Sequence, residues 1–291
     1  MIRLSGLGTA LVTPFKDGAV DYEAFVALVD RQVAAGVDFL VPLGTTGETP
    51  CLSDEERLNL LQITKEHSNG KPVLVGAGTN SLTATIKNIR QLDVYEPDGY
   101  LLVAPYYNKP SQQGLYEYFK AVAESTDKAI VLYNVPGRTG SNIAAETTLK
   151  LAEIGNIIAV KEASGNYAQI SRIIGNAPEG FSVLSGNDDE TLSLMATGAK
   201  GIISVASNIA PSYMVQFVRA LQRDDMVAAR SLHHMLFPLF KNCFVESNPI
   251  PVKAGLASMG LIQNELRLPL MPASEGTYAL MEETVKKLMR N

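Results

Sequence analysis

The chain has 291 residues, 46% of them hydrophobic and 19% charged, with a formal net charge of −5, which suits a globular protein with a sizeable core. A nucleic-acid binder would carry a basic stripe, yet the longest basic cluster is Lys286-Lys287, and no apolar run approaches the ~18 residues of a membrane-spanning helix. The two cysteines, Cys51 and Cys243, have no metal-ligand spacing and read as reduced thiols of a cytoplasmic protein.

In chain order, a first strand is predicted near Leu7 to Thr13, an apolar stretch that fits a buried strand better than a signal peptide. A helix follows from Asp21, with Phe25, Leu28, Val29 and Val33 on one face, ending at Gly36. Phe39 to Leu43 reads as the next strand. Ser53 to Glu56 is a capping box, in which each side chain can satisfy the other residue's free backbone N–H. Then come a strand at Pro72 to Val75, a helix from Ser81, a strand at Gly99 to Val103 and a helix from Gln112 to Glu124. A strand at Ala129 to Tyr133 and a short helix lead to the strand Ile157 to Lys161. A helix near Tyr167, a strand at Phe181 to Leu184, a helix after Asp188, a strand at Gly201 to Val205 and a helix after Pro211 complete the series.

Strict strand–helix alternation implies parallel strands with helical crossovers. Eight such units over residues 1–224 predict a closed (β/α)8 TIM barrel, since closure leaves no edge strand. An open doubly wound sheet would usually show a glycine-rich nucleotide turn, and Gly6-Leu7-Gly8 lacks the third glycine. Residues 225–291 read as a C-terminal helical segment: Met226 to Val245, a turn around Asn248-Pro249-Ile250-Pro251, and two further helices.

The active site of such a barrel lies where strands end and βα loops begin. The residues expected there are Thr13; Thr45, Thr46 and Glu48; Asn80; Tyr106 and Tyr107; Tyr133 and Asn134; Lys161 and Glu162; Ser185 and Asn187; and Ser204, Ser207 and Asn208. Lys71, Lys128 and Lys200 precede their strands, so Lys161 alone ends one, with a pleat parity matching Ile157 and Ala159. Such a lysine either reaches solvent or points into the mouth, where desolvation would favour the neutral, nucleophilic amine. His67, His233 and His234 all lie away from strand ends, which argues against a metal-dependent aldolase. The loop Ser185 to Glu190 is acidic and Ala206-Ser207-Asn208 carries no basic residue, which disfavours a phosphorylated substrate. Gly44-Thr45-Thr46-Gly47-Glu48 offers two hydroxyls and several backbone donors to a carboxylate. Arg138, after the fifth strand, has the planar fork for a second one.

Together, Gly44-Thr45-Thr46-Gly47-Glu48, Tyr133-Asn134-Val135-Pro136 and Val160-Lys161-Glu162-Ala163 closely resemble the dihydrodipicolinate synthase and N-acetylneuraminate lyase superfamily, over essentially the whole chain. Pro105-Tyr106-Tyr107-Asn108, Gly137-Arg138-Thr139-Gly140, Ser185-Gly186-Asn187-Asp188 and Glu246 to Lys253 are similar to its dihydrodipicolinate synthase branch. The resemblance implies a cofactor-free lyase in which Lys161 forms an imine with pyruvate, whose enamine attacks aspartate semialdehyde on the way to diaminopimelate and lysine. It implies a proton relay of Tyr133, Thr45 and a neighbouring subunit's Tyr107, with Thr46 on the pyruvate carboxylate and Arg138 on the semialdehyde carboxylate. It further implies that Gly186 and Ile203 line the pocket through backbone groups, and that the protein is a homotetramer built as a dimer of dimers. Of the family's lysine-effector site, Asn80 and Tyr106 match, whereas Asp54, Arg57 and Ala84 stand at its histidine and glutamate positions. The alternatives are a lyase for N-acetylneuraminate or a 2-keto-3-deoxy sugar acid, and a non-catalytic keto-acid sensor on the same scaffold.

Overall fold

A computed structural model describes residues 2–290. Eight parallel strands form the barrel: β1 Gly6–Ala10, β2 Phe39–Val41, β3 Leu74–Gly76, β4 Gly99–Val103, β5 Ala129–Asn134, β6 Ile157–Glu162, β7 Ser182–Ser185 and β8 Gly201–Ser204. β1 pairs with both β2 and β8, and the series runs on through β7, β6, β5 and β4 to β3. A parallel bridge between Leu40 and Val73, with Leu40 N–H donating to the Pro72 carbonyl at 3.0 Å, joins β2 to β3 and closes the ring. This is the (β/α)8 barrel that the strand–helix alternation predicts.

The helices begin where the caps place them. Asp21 accepts from Ala24 N–H at 3.0 Å to open Tyr22–Ala35, and Gly36 ends that helix at φ 88°. The Ser53–Glu56 capping box forms both of its hydrogen bonds, at 2.9 and 3.1 Å. Ser81 caps Leu82–Leu92, and Pro211 opens Pro211–Gln222 at a position where the missing N–H costs nothing.

The strands are buried on both faces, and their side chains alternate between two clusters. Leu40, Val75, Tyr100, Leu102, Ile130, Leu132, Val160 and Ile202 face the helices. Ala10, Phe39, Val41, Leu74, Leu101, Val131, Ala159, Leu184 and Ile203 fill the interior. Gly8 makes room there, since a Cβ on it would lie 2.0 Å from the Phe39 ring. One detail departs from the pleat parity of the sequence. Ile130 pairs with Ile157 but Val131 with Ala159, so β6 carries one extra residue, Ile158. The bulge turns Ile157 outward and Ile158 inward, while Ala159 and Lys161 keep the inner face.

Beyond the barrel lie the helices Met226–Asn242, Ile250–Ser258 and Glu275–Leu288, whose apolar faces join the outer cluster through Phe240, Val252 and Met281. His233 packs its ring among Phe217, Phe237 and Phe240, with His234 edge-on, while His67 sits 2.8 Å from Asp30. Both cysteines are free thiols. The sequence pattern gave no sign of a hairpin, Phe15–Lys16 with Ala19–Val20, that leaves the end of β1. Its Phe15 ring lies under two cations, 4.3 Å from Lys253 Nζ and 4.5 Å from the Arg267 guanidinium carbon.

Candidate active site

A cleft opens at the C-terminal ends of the strands. It is lined by Gly44, Thr45, Thr46, Tyr133, Arg138, Lys161, Gly186, Asn187 and Asn248, with apolar walls from Val135, Ala163, Val205 and Phe244. Lys161 is the only lysine lining it among the described residues, and is 5% exposed. β5 and β6 pair Tyr133 with Lys161 in register, which brings Lys161 Nζ to 4.3 Å from the centre of the Tyr133 ring. Lys161 takes the inward direction left open by its position in the sequence. No ion pair holds its amine among the described residues.

The turn carrying Thr45 and Thr46 is pinned from several sides. Gly47 and Glu48 N–H donate within it to Gly44 and Thr45 carbonyls, at 3.0 and 3.1 Å, so these two donors are committed to the turn itself. The Thr13 hydroxyl donates to the Gly47 carbonyl at 2.8 Å, and the Thr49 hydroxyl to that of Gly44 at 3.0 Å. Glu48, at φ 53°, turns away from the cleft, and its carboxylate meets Lys253 Nζ at 2.7 Å with both side chains wholly buried. Lys253 also donates to the Thr13 carbonyl at 2.9 Å, and Arg267 N–H to the second Glu48 oxygen at 3.1 Å. Burial pushes the Lys253 ammonium below its ordinary range, and Glu48 opposes that shift. Arg267 grips Glu56 with two bonds of 2.7 Å, which ties the following helix to the same corner.

Gly186 belongs in the floor because a Cβ there would lie 2.7 Å from that of Ala163 and 2.9 Å from the Glu162 carbonyl. Its N–H donates to that carbonyl at 2.6 Å, which holds the β7 loop against the end of β6, the strand that carries Lys161. Asp188 is buried beneath the loop and accepts from the Ser204 hydroxyl and from Val205 and Ala206 N–H. Burial raises its carboxyl above the ordinary range, while those donors and the charge of Lys161 favour its ionised form.

The acidic loop therefore does not confront a ligand with carboxylates, as its composition suggested. Asp188 faces inward, Asp189 meets Lys241 at 3.1 Å, and Glu190 accepts from Asn187 at 3.0 Å. Only Gly186 and Asn187 of that loop reach the cleft. Other strand-end residues also brace the walls. Glu162 accepts from Asn134 at 2.9 Å and Gln169 at 3.1 Å, and its burial raises its carboxyl. Asn208 bonds Val12 N–H and the carbonyls of Ala10 and Val205, and Ser207 accepts from Gln32 through its carbonyl.

Ile203 is fully buried in the barrel interior and is not among the residues lining the cleft. Tyr107 is 88% exposed at φ 72° and stays outside its own chain's cleft. A second groove adjoins the first through Thr45, Tyr133 and Arg138, and is lined further by Arg57, Thr79 and Tyr106. Asn80 donates to the Tyr106 carbonyl at 3.2 Å beside it, and Arg57 pairs with Asp54 at 3.2 Å. Phe244, Asn248 and Lys253 were singled out by no periodicity. They follow the barrel in sequence, and only the run Glu246 to Lys253 hinted that this segment matters.

A closed barrel whose mouth holds one buried lysine between a Gly-Thr-Thr-Gly turn and an arginine loop defines the class: a lysine-centred (β/α)8 barrel. The chain belongs to the dihydrodipicolinate synthetase family, whose model matches residues 3–288. It is 48% identical to the 4-hydroxy-tetrahydrodipicolinate synthase of Thermotoga neapolitana, over 97% of this chain and 98% of that protein. The crystal structure of the Thermotoga maritima dihydrodipicolinate synthase superposes with a TM-score of 0.97 at 46% identity, covering 99% of each chain. That of the Acinetobacter baumannii enzyme, complexed with pyruvate, gives 0.95 at 38% identity, over 98% of this chain and 99% of that one.

Proposed function

We propose that this protein condenses pyruvate with aspartate semialdehyde to hydroxy-tetrahydrodipicolinate in the cytoplasm, the entry step toward diaminopimelate and lysine. The observation that carries this reading is Lys161, among the described residues the one lysine in the cleft and without an ion pair, set against Tyr133. Its amine adds to the pyruvate ketone and water leaves, giving an imine. Loss of a proton from the pyruvate methyl gives the enamine, whose carbon attacks the semialdehyde's carbonyl. The semialdehyde's own amine then attacks the imine carbon, closes the ring and releases Lys161. A covalent intermediate of this kind divides one difficult step into easier ones. Relatives bearing the synthase name at this identity, and one solved with pyruvate, support the reading.

In this scheme Tyr133 and Thr45 move protons, Thr46 binds the pyruvate carboxylate and Gly186 completes the floor. Arg138, exposed at the rim, binds the semialdehyde carboxylate. Tyr107 enters the relay only if a neighbouring subunit supplies it, and its exposure suits a tetramer in which it reaches the partner's adjoining groove. Borohydride reduction in the presence of pyruvate is expected to leave one reduced adduct on Lys161; an unmodified Lys161 overturns the proposal. Arg138→Ala is expected to lower the use of semialdehyde about 10- to 100-fold, the worth of a charge-assisted bond, with imine trapping intact. Equal loss of both would refute that division of roles.

Regulation follows from the same neighbourhood. Arg57 lines the groove beside Tyr106, and Ala84, which the resemblance sets at the family's glutamate position, has no carboxylate for an effector's ammonium. Free lysine is accordingly expected to inhibit weakly or not at all. Half-inhibition at submillimolar lysine in a steady-state assay would contradict this.

A further inference from the structure

We propose that Asn248 is a positioning residue that aims the Thr46 hydroxyl proton at the substrate carboxylate, making this subsite selective for 2-oxo acids over neutral ketones. The assignment rests on the reading of Lys161 and Thr46 given above, and adds what makes Thr46 a donor.

A threonine hydroxyl has one proton and two lone pairs, and within a turn it readily donates to a nearby backbone carbonyl. Two hydroxyls of this corner do so: Thr13 donates to the Gly47 carbonyl and Thr49 to that of Gly44. Thr46 is treated differently. Asn248 Nδ2 donates to Thr46 Oγ1 at 2.9 Å, and among the described residues the Thr46 hydroxyl donates to nothing. It is buried, lines the cleft with Lys161, and keeps its proton uncommitted.

The direction of the Asn248 amide is decisive. Turned round, its oxygen would take the Thr46 proton and leave two N–H donors buried. As it stands, one Nδ2 proton is used, one has no partner among the described residues, and the only wholly unsatisfied atom is the acceptor Oδ1, on a residue 4% exposed. An under-used acceptor is the better tolerated of the two. Asn248 also reaches Arg138, the residue assigned to the second carboxylate, because its main-chain carbonyl accepts from Arg138 Nη2 at 3.3 Å. One residue thus orients the inner donor and braces the outer one.

The test is borohydride trapping on Lys161 across a range of pyruvate concentrations, read by intact mass, with acetone as a neutral ketone probe. Asn248→Ala is expected to raise the pyruvate concentration for half-trapping roughly 10- to 100-fold, the worth of a well-aligned bond to a charged group, and to leave acetone trapping unchanged. Thr46→Val should do the same, and Thr46→Val with Asn248→Ala should be no worse than Thr46→Val alone. Asn248→Asp is nearly isosteric and takes the Thr46 proton itself, so it should bind pyruvate less well than Asn248→Ala. Additive losses in the double variant, parallel loss of acetone trapping, or an Asn248→Asp variant equal to the unsubstituted protein would each overturn the assignment. No pyruvate adduct on the unsubstituted protein would overturn the reading of Lys161, and the assignment with it.

Discussion

Lys161→Ala is expected to reduce condensation of pyruvate with aspartate semialdehyde by roughly 10⁴-fold or more, since without the imine the barrier reverts toward that of the uncatalysed reaction. The side chain lines the cleft with no ion pair among the described residues, its Nζ 4.3 Å from the centre of the Tyr133 ring. Removing it breaks no ion pair among the described residues, and Asp188 keeps its bonds from Ser204, Val205 and Ala206, so thermal unfolding should shift by only a few degrees. Lys161→Arg is a sharper control. It keeps a positive charge beside Tyr133 but cannot supply a neutral amine near pH 7. Turnover by Lys161→Arg within tenfold of the unsubstituted protein would mean that Lys161 acts only through its charge. A coupled assay with both substrates, together with mass spectrometry after borohydride reduction, separates these outcomes.

The second large effect concerns stability. Lys253→Met is expected to destabilise the fold by about 3–5 kcal/mol, because it leaves the buried Glu48 carboxylate without its cation. Replacing both partners, Glu48→Gln with Lys253→Met, should recover much of that loss, since desolvation of two charges offsets most of what their attraction contributes. Chemical denaturation at neutral pH measures both. A single variant within 1 kcal/mol of the unsubstituted protein, on the scale of surface substitutions, would show that the pair is dispensable. Because Glu48 ends the turn that carries Thr45 and Thr46, the single variant should also bind pyruvate more weakly. The two buried lysines among the described residues are thus opposites: Lys253 is paired with Glu48, whereas Lys161 has no ion pair there and faces the cleft.

Much of this was legible in the sequence because the signals were local. Asp21, Ser53 and Ser81 open helices through bonds to residues three positions on, and strict alternation forces parallel strands. Lys161 stood out because it closes the apolar run Ile157 to Val160, though the strand itself runs one residue further, to Glu162. The β6 bulge was hidden for a physical reason. A strand buried on both faces is apolar at every position, so an inserted Ile158 leaves no break in the pattern. Two-residue strands such as Phe15–Lys16 are too short to show a period. The direction of the Asp188 side chain depends on Ser204, and the partner of Lys253 on a turn some two hundred residues earlier. Burial between distant segments decides such pairs, and no spacing rule reaches that far.

The bonds that fasten the Thr45–Thr46 turn also have an order in time. β8 ends at Ser204, so a chain emerging from the ribosome can close its ring before Asn248, Lys253 and Arg267 have been made. Until then Glu48 lacks its cation and Thr46 its amide donor. A chain stopped short of Lys253 would carry Lys161 and every barrel strand, yet hold a loose carboxylate subsite. The segment from Asn248 to Arg267 thus acts as a latch on a turn that is made long before it.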